Sequence, residues 1–304
     1  MPELPEVETI RRGLASHIVG HQISEVTLLH ERSVRKHEAG ARDFVATLTG
    51  RVFAVPARRG KYLWLPFDNG DALLAHLGMS GQFHVVTADA ALVRNTRVVF
   101  GLQDGWQLRF VDQRMFGFLT VSQGGANFPT EVTHIARDLL DPELNQNALV
   151  QVISQKRTAI KRVLLDQRVV SGIGNIYADE TLWKVGLRYD TLACQLDVPT
   201  ISQLLDAARQ VLLAAIAAGG TSFDALYVGV DGAAGYFARQ LHAYGRETKP
   251  CDRCGSPIVR RPFMGRSAFF CEHCQPEFDH TASRQQHPQA NDMVALNDRL
   301  ADCE

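Results

Sequence analysis

Val7, Ile10, Leu14 and Ile18 recur at helical spacing, which predicts an amphipathic helix at the start of the chain. Pro5 suits its first turn, and Glu6 and Glu8 complement the positive end of its dipole. From about residue 22 to 121 the period shortens to β-rich runs: ISEVTLL, RVFAVP, KYLWLPF, ALLAHL, QFHVV, RVVFGL, WQLRFV and GFLTV. Turn residues such as Asp68-Asn69-Gly70-Asp71 and Asp104-Gly105 separate them. Eight short strands with hairpin turns predict a β-sandwich or barrel. A Gly/Asn/Pro/Thr-rich stretch at 122–135 reads as a linker, and after it the period becomes helical. Helices are expected around 147–155, 158–166, 176–186 and 200–218, the last ending at Gly219-Gly220. The expected architecture is an α+β multidomain chain: a β-sandwich with a leading helix over 1–121, the linker, a helical domain over 136–250, a small module at 251–275 and a tail at 276–304. The tail is rich in His, Gln, Asn, Asp and Ala and is expected to be disordered.

The small module supplies the first chemistry. Four of the six cysteines fall within residues 251–274, as two C-x₂-C pairs, Cys251/Cys254 and Cys271/Cys274. Two such knuckles can close a tetrahedral Zn²⁺ site. Sulfur fills all four positions, so no place remains for a catalytic water and the zinc is expected to be structural. The intervening IVRRPFMGRSAFF reads as a hairpin with Arg260, Arg261 and Arg266 near its tip, a rigid probe for nucleic acid or a set of solvated surface cations. Net charge, at −1 over 304 residues, argues against a globally basic nucleic-acid binder. That balance hides an asymmetry. Residues 276–304 carry six acidic and two basic side chains, leaving the rest with 30 basic against 27 acidic; residues 232–275 hold seven basic and three acidic. Local clusters of cations suffice to displace counterions from phosphate. No run reaches the 18 or so apolar residues of a membrane span, and the acidic MPELPEVETIRRG does not suit a signal peptide, so a cytoplasmic monomer without membrane contact is expected.

Removal of Met1 would leave Pro2 with a free secondary amine, and α-amino groups titrate near ~8. Such an amine can attack an electrophilic carbon and form an iminium, with the adjacent Glu3 available as general acid or base. Alone, a proline at position 2 also reads as a processed terminus before a helix. Several blocks change that weighting: Pro2-Glu-Leu-Pro-Glu-Val-Glu-Thr9, Gly60-Lys61-Tyr-Leu, His76-Leu-Gly-Met79-Ser-Gly81, Asp112-Gln-Arg114-Met-Phe116-Gly117, Gly172-Ile-Gly-Asn175-Ile-Tyr-Ala-Asp-Glu180 and Tyr244-Gly-Arg246. In this order, and with the Cys₄ module following, the chain resembles the bacterial formamidopyrimidine-DNA glycosylases from residue 2 to about 275.

The resemblance implies a base-excision repair glycosylase and abasic-site lyase that removes oxidised purines from double-stranded DNA. Pro2 would be its nucleophile, Glu3 its proton donor, Lys61 a phosphate-side catalytic lysine and Glu6 an orienting carboxylate. Met79, Arg114 and Phe116 would fill the gap left by an everted nucleotide, since an enzyme acting on a base must take it out of the stack. Gly172–Asn175 would form the turn of a helix–two-turn–helix motif, with His76, Lys161, Asn175, Tyr244 and Arg266 as DNA contacts. Thr221 and Ser222 would begin a lid over the base, although Asp224 stands where the family carries a basic residue, and Asn95 stands where many members have His. Two rivals compete with this reading. A sister enzyme of the endonuclease VIII type would act on oxidised pyrimidines. A non-catalytic damage-binding protein would be expected to lack Pro2, Glu3 or Lys61, and all three are present.

Overall fold

A computed structural model of the chain describes residues 2–221 and 237–277. Helix α1 (Leu4–His17) opens the fold and buries Val7, Ile10 and Leu14, as its spacing predicts. It lies on a sandwich of two antiparallel four-stranded sheets. The first takes β1 (Ile23–Leu28), β6 (Thr96–Leu102), β7 (Trp106–Asp112) and β5 (Gly81–Thr87) in that order. The second takes β2 (Ala57–Arg59), β3 (Tyr62–Pro66), β4 (Ala72–His76) and β8 (Phe118–Ser122). Leu63, Leu65, Leu73, Ala75, Phe83, Phe100, Phe110 and Leu119 fill the space between them.

Strand alternation explains a second layer. Trp64 and Leu74 point away from that core and would be exposed on a bare sheet. They are covered instead by Val132 and Ile135, so the stretch read as a linker is a packed strap containing a short helical turn at Thr130–Val132. Two local readings differ from expectation. RVFAVP does not form a strand; it makes only isolated bridges, Gln22 to Val52 and Phe53 to Phe67, and β2 begins just after it. Pro56 has no N–H to give a ladder, which favours that break. A helix that the strand reading passed over, α2 (Gly40–Leu48), packs Phe44 and Leu48 from one face onto the sandwich.

The helical region follows its pattern closely, with α3 (Gln146–Ser154), α4 (Ile160–Leu165), α5 (Asn175–Val185) and α6 (Val198–Ala217). Asp197 caps α6 by accepting from Thr200 N–H at 2.9 Å, and Gly186 ends α5 with φ of 73°. Residues Ile176 to Trp183 of α5 are all buried, so this helix forms the centre of the domain. Strands β9 (Ile258–Phe263) and β10 (Arg266–Cys271) make the antiparallel hairpin of the cysteine module. No helix among the described residues is long and apolar enough to cross a membrane. Ser222 and the tail from residue 278 on lie outside the described residues.

Candidate active site and nucleic-acid interface

The two halves of the chain meet at the first turn of α1. Leu4 belongs by packing to the helical core, and its N–H donates to the Gly172 carbonyl at 3.0 Å. That contact inserts Glu3, only 2 % exposed, into the N-terminus of α5. Its carboxylate accepts from the N–H groups of Gly174 at 2.6 Å, Ile176 at 3.0 Å and Tyr177 at 3.4 Å. These are the orphan donors of a helix start, where the dipole favours negative charge. Gly174 permits the approach, because a Cβ there would collide with the Glu3 carboxylate. Burial nevertheless raises the Glu3 pKa, with Lys61 opposing and Glu6 reinforcing the shift. Such a group can hold a proton at higher pH than an ordinary glutamate and so serve as an acid.

Lys61 joins this buried cluster from the sandwich side. It is 9 % exposed, and its ammonium donates to the Ile173 carbonyl at 2.9 Å. Burial lowers its pKa, Glu3 counters that, and the nearby Arg266 adds to the lowering. Arg266, exposed at the hairpin tip, thus extends the positive field around Lys61.

Glu6 gathers the surrounding elements. Its Oε2 accepts the Glu3 N–H at 2.8 Å, while Oε1 accepts the Tyr177 hydroxyl at 2.6 Å and both the N–H and hydroxyl of Thr221 at 2.8 Å. One carboxylate therefore ties the N-terminus to α5 and to the segment after α6. Sequence reasoning does not single out Tyr177, which stands in the first turn of α5; its only signal there is a place in the block that follows Gly174.

The hairpin docks on α5 through a second cluster, and here Lys161 is placed differently from expectation. It is fully buried and pairs with Asp179 at 2.7 Å, and it donates to the Ser267 carbonyl at 2.9 Å. A phosphate-contacting lysine needs solvent access; this one spends its charge inside the protein. Asn175 donates to the same carbonyl at 3.0 Å, and Asp179 accepts from Phe269 N–H at 3.1 Å. Glu180, also missed in the sequence reading, accepts the N–H groups of His242, Ala243 and Tyr244 at 2.8–2.9 Å and so positions Tyr244 against Phe269. His76 is half-buried, accepts from Gly78 N–H at 3.1 Å and stacks on Phe118. Burial, with Lys61 and Arg35 nearby, pushes its pKa down to about 4, so it is neutral at physiological pH. Met79 is half-buried, whereas Arg114 and Phe116 are exposed on a neighbouring turn with the guanidinium 5.2 Å from the ring centroid.

The four cysteine sulfurs of 251, 254, 271 and 274 lie within 4.8 Å of one another. The Cys251–Cys274 and Cys254–Cys271 separations are 3.9 and 3.5 Å. Tetrahedral Zn–S bonds of ~2.3 Å require sulfurs about 3.8 Å apart, so the cluster fits one structural zinc. Trp183 donates its indole N–H to the Cys251 sulfur at 3.4 Å, linking the metal site to α5.

These features match known proteins along the chain. Residues 1–119 match the formamidopyrimidine-DNA glycosylase N-terminal domain, 135–226 the H2TH domain of the same enzymes, and 249–276 a zinc finger found in FPG and IleRS. A formamidopyrimidine-DNA glycosylase of Nocardioides sp. is 54 % identical over 279 residues, covering 91 % of this chain and 95 % of the relative. One of Salinispora arenicola is 53 % identical over 277 residues, covering 91 % and 96 %. The fold is similar to that of Lactococcus lactis Fpg in complex with DNA containing an abasic site, with TM-score 0.81, 30 % identity, and coverage of 90 % of this chain and 100 % of that one. A second Lactococcus lactis complex, with Fapy-dG containing DNA, gives TM-score 0.80 at the same identity and coverage. Fold and site together define a DNA glycosylase of base-excision repair. Within that class, the chain belongs to the formamidopyrimidine-DNA glycosylase family.

Proposed function

We propose that the chain excises oxidised purines, 8-oxoguanine and formamidopyrimidines, from double-stranded DNA, and then cleaves the strand by β,δ-elimination through a Schiff base on Pro2. The observation that carries this reading is the Glu3 carboxyl, buried next to Pro2 with its pKa raised, at a helix terminus and beside Lys61. Removal of Met1 frees the Pro2 amine, which attacks C1′ as the glycosidic bond breaks and the base leaves with a proton. Glu3 protonates the deoxyribose ring oxygen, the ring opens and an iminium forms between Pro2 and C1′. The iminium acidifies the C2′ protons, so the C3′–O bond and then the C5′–O bond break in successive eliminations.

Other residues hold the substrate in this scheme. Lys61 and Arg266 attract the phosphates flanking the lesion, and Asn175, Tyr244 and His76 line the approach. Met79, Arg114 and Phe116 occupy the space of the everted nucleotide, and Glu6 aligns the N-terminus with Thr221 at the edge of the damaged-base site. The oxidised-purine preference is supported by the names of the relatives and by the complete Met79/Arg114/Phe116 set.

Borohydride trapping on a duplex with 8-oxoguanine opposite cytosine tests the reading, with mass spectrometry of the linked peptide. The expected result is a covalent adduct at Pro2 that undamaged DNA does not give. Faster processing of an oxidised pyrimidine would move the chain to the endonuclease VIII branch. Lesion binding by zinc-loaded, Met1-free protein with no adduct would make it a damage-binding protein instead.

A further inference from the structure

Two corners of the sandwich carry the residues assigned to the gap left by an everted nucleotide. The β4–β5 corner holds Met79, and the β7–β8 corner holds Arg114 and Phe116. Each crosses from one sheet to the other. His76 pairs with Phe118 in one sheet and Gly81 pairs with Asp112 in the other, so the corners lie side by side at one end of the sandwich. They meet backbone to backbone. A Cβ on Gly78 would run into Gly117 N and the Phe116 carbonyl carbon, and one on Gly117 would sit 3.0 Å from the His76 carbonyl oxygen.

A buried carboxylate joins the two. Asp112 is 1 % exposed; Oδ1 accepts the Ser80 hydroxyl at 2.5 Å and Oδ2 accepts the Gly117 N–H at 2.8 Å. Ser80 Oγ in turn accepts the Arg114 N–H at 2.8 Å, so a chain of hydrogen bonds runs across both corners. On the outer side the Arg35 guanidinium donates to the carbonyls of Phe116 at 3.0 Å and Gly117 at 2.6 Å. Inside this frame Met115 holds φ of 55°, a left-handed conformation that a long side chain keeps only where its surroundings over-determine it.

We propose that Ser80 and Asp112 are positioning residues that lock the two corners into one preformed wedge, so that Met79, Arg114 and Phe116 enter the duplex as a unit. The inference rests on the reading of those three as gap-filling residues. Two independent loops would lose conformational entropy at the moment of insertion, when stacking is also being lost. A wedge ordered in advance loses that entropy on folding, and the cost is absent from the insertion step.

The test is Ser80→Ala in the zinc-loaded chain. Ser80 is buried in the corner and its loss removes no group from the wedge itself, but it leaves Asp112 Oδ1 and the Arg114 N–H unpaired. Stopped-flow fluorescence of a duplex with 2-aminopurine beside 8-oxoguanine reads insertion as local unstacking. Lyase cleavage of a single-stranded oligonucleotide carrying an abasic site, with no duplex stack to hold open, reads the chemistry alone. The insertion phase is expected to slow about tenfold, the scale of one buried hydrogen-bond partner lost. Duplex excision falls with it, single-strand cleavage is unchanged, and Asp112→Asn, which keeps one acceptor, falls between. An unchanged insertion phase in Ser80→Ala, or an equal loss on both substrates, overturns the proposal alone. A wild-type chain that cuts the lesion duplex with no insertion phase overturns the gap-filling reading and the proposal with it.

Discussion

Replacing Lys161 by Met keeps most of the side-chain length and removes the charge, and so isolates what the buried pair with Asp179 does. Lys161 is 0 % exposed and Asp179 1 %, at 2.7 Å separation. Removing one partner strands the other charge in the interior, which costs ~3–5 kcal/mol and lowers Tm by roughly 6–20 °C for a chain of this size. The effect depends on pH in a definite direction. Burial pushes Asp179 up to about 7, with Lys161 opposing. A carboxyl raised in the folded state contributes stability that is fully present below its ordinary range and lost as pH rises through the folded value. Without Lys161 the carboxyl titrates higher still, so the deficit is largest above pH 8 and shrinks towards pH 5 as Asp179 takes up a proton. Lys161→Met/Asp179→Asn keeps an acceptor for the Phe269 N–H and should recover most of the loss. Differential scanning calorimetry from pH 5 to 8.5 reads all of this. The salt dependence of DNA binding provides the counter-test: a lysine that neutralised a phosphate would, when lost, reduce the slope of log K against log salt by about one. A reduced slope with unchanged Tm would refute the docking role and restore Lys161 to the DNA interface.

Glu3→Gln should lower base excision by a factor of ~10²–10⁴, as for loss of a general acid, while leaving lesion binding measurable by gel shift. In the wild type, excision should decline as pH rises through the raised Glu3 pKa, because the acid form is lost; a limb absent from the variant's residual activity identifies it. Zinc chelation, or Cys254→Ser, should release the hairpin, weaken DNA binding and change the fluorescence of Trp183, whose indole bonds Cys251 at 3.4 Å. Retained affinity in metal-free protein, verified by atomic absorption, would refute a structural role. His76→Gln should weaken DNA binding without altering the salt slope, because His76, pushed down to about 4, contributes no charge near neutral pH. A slope change of about one would show that it binds phosphate as a cation.

What could be read in the sequence was local. The cysteine pairs need only their own spacing to imply a tetrahedral site, and the helices of the second half declared themselves by apolar period and by Gly219-Gly220 at the end of α6. The sheet was harder. An alternation count took RVFAVP for a strand and could not weigh Pro56 against it, and it passed over α2, whose Phe44 and Leu48 make only one turn of pattern. For the proposed chemical site, the residues alone suggest an amine at Pro2 beside an acid at Glu3, and the resemblance adds weight; the geometry stays hidden because it joins residues 171 apart, as in the Gly174 N–H to Glu3 bond. Asp179 and Glu180 lie in the middle of a buried helix, where charged residues imply partners but do not name them. Lys161 shows the same limit from the other side: a lysine at a helix start reads as solvent-facing until the hairpin is laid over it.

The position of Glu3 has a structural consequence for how the two halves work. By chain it caps the first helix of the sandwich; by contact it caps α5. The acid role proposed for Glu3 therefore depends on the halves being docked, because the donors that hold its carboxylate and the burial that raises its pKa both come from across the seam. The seam is fastened accordingly. Leu4 lies in the helical core, Lys61 reaches the Ile173 carbonyl, and Arg58 bridges Glu8 at 3.2 Å and Asp138 at 2.8 Å. Although burial opposes it, hydrogen bonds from Arg11 and Arg12 hold Glu8 at about 2, so the Glu8 partner of Arg58 keeps its charge across the working pH range. Opening at this seam would withdraw Gly174 and Ile176 from Glu3 and expose the carboxyl to water, returning it towards an ordinary glutamate too weakly protonated to donate. In the proposed scheme, insertion into the duplex therefore falls to the β4–β5 and β7–β8 corners, while the contacts that hold Glu3 across the seam stay closed.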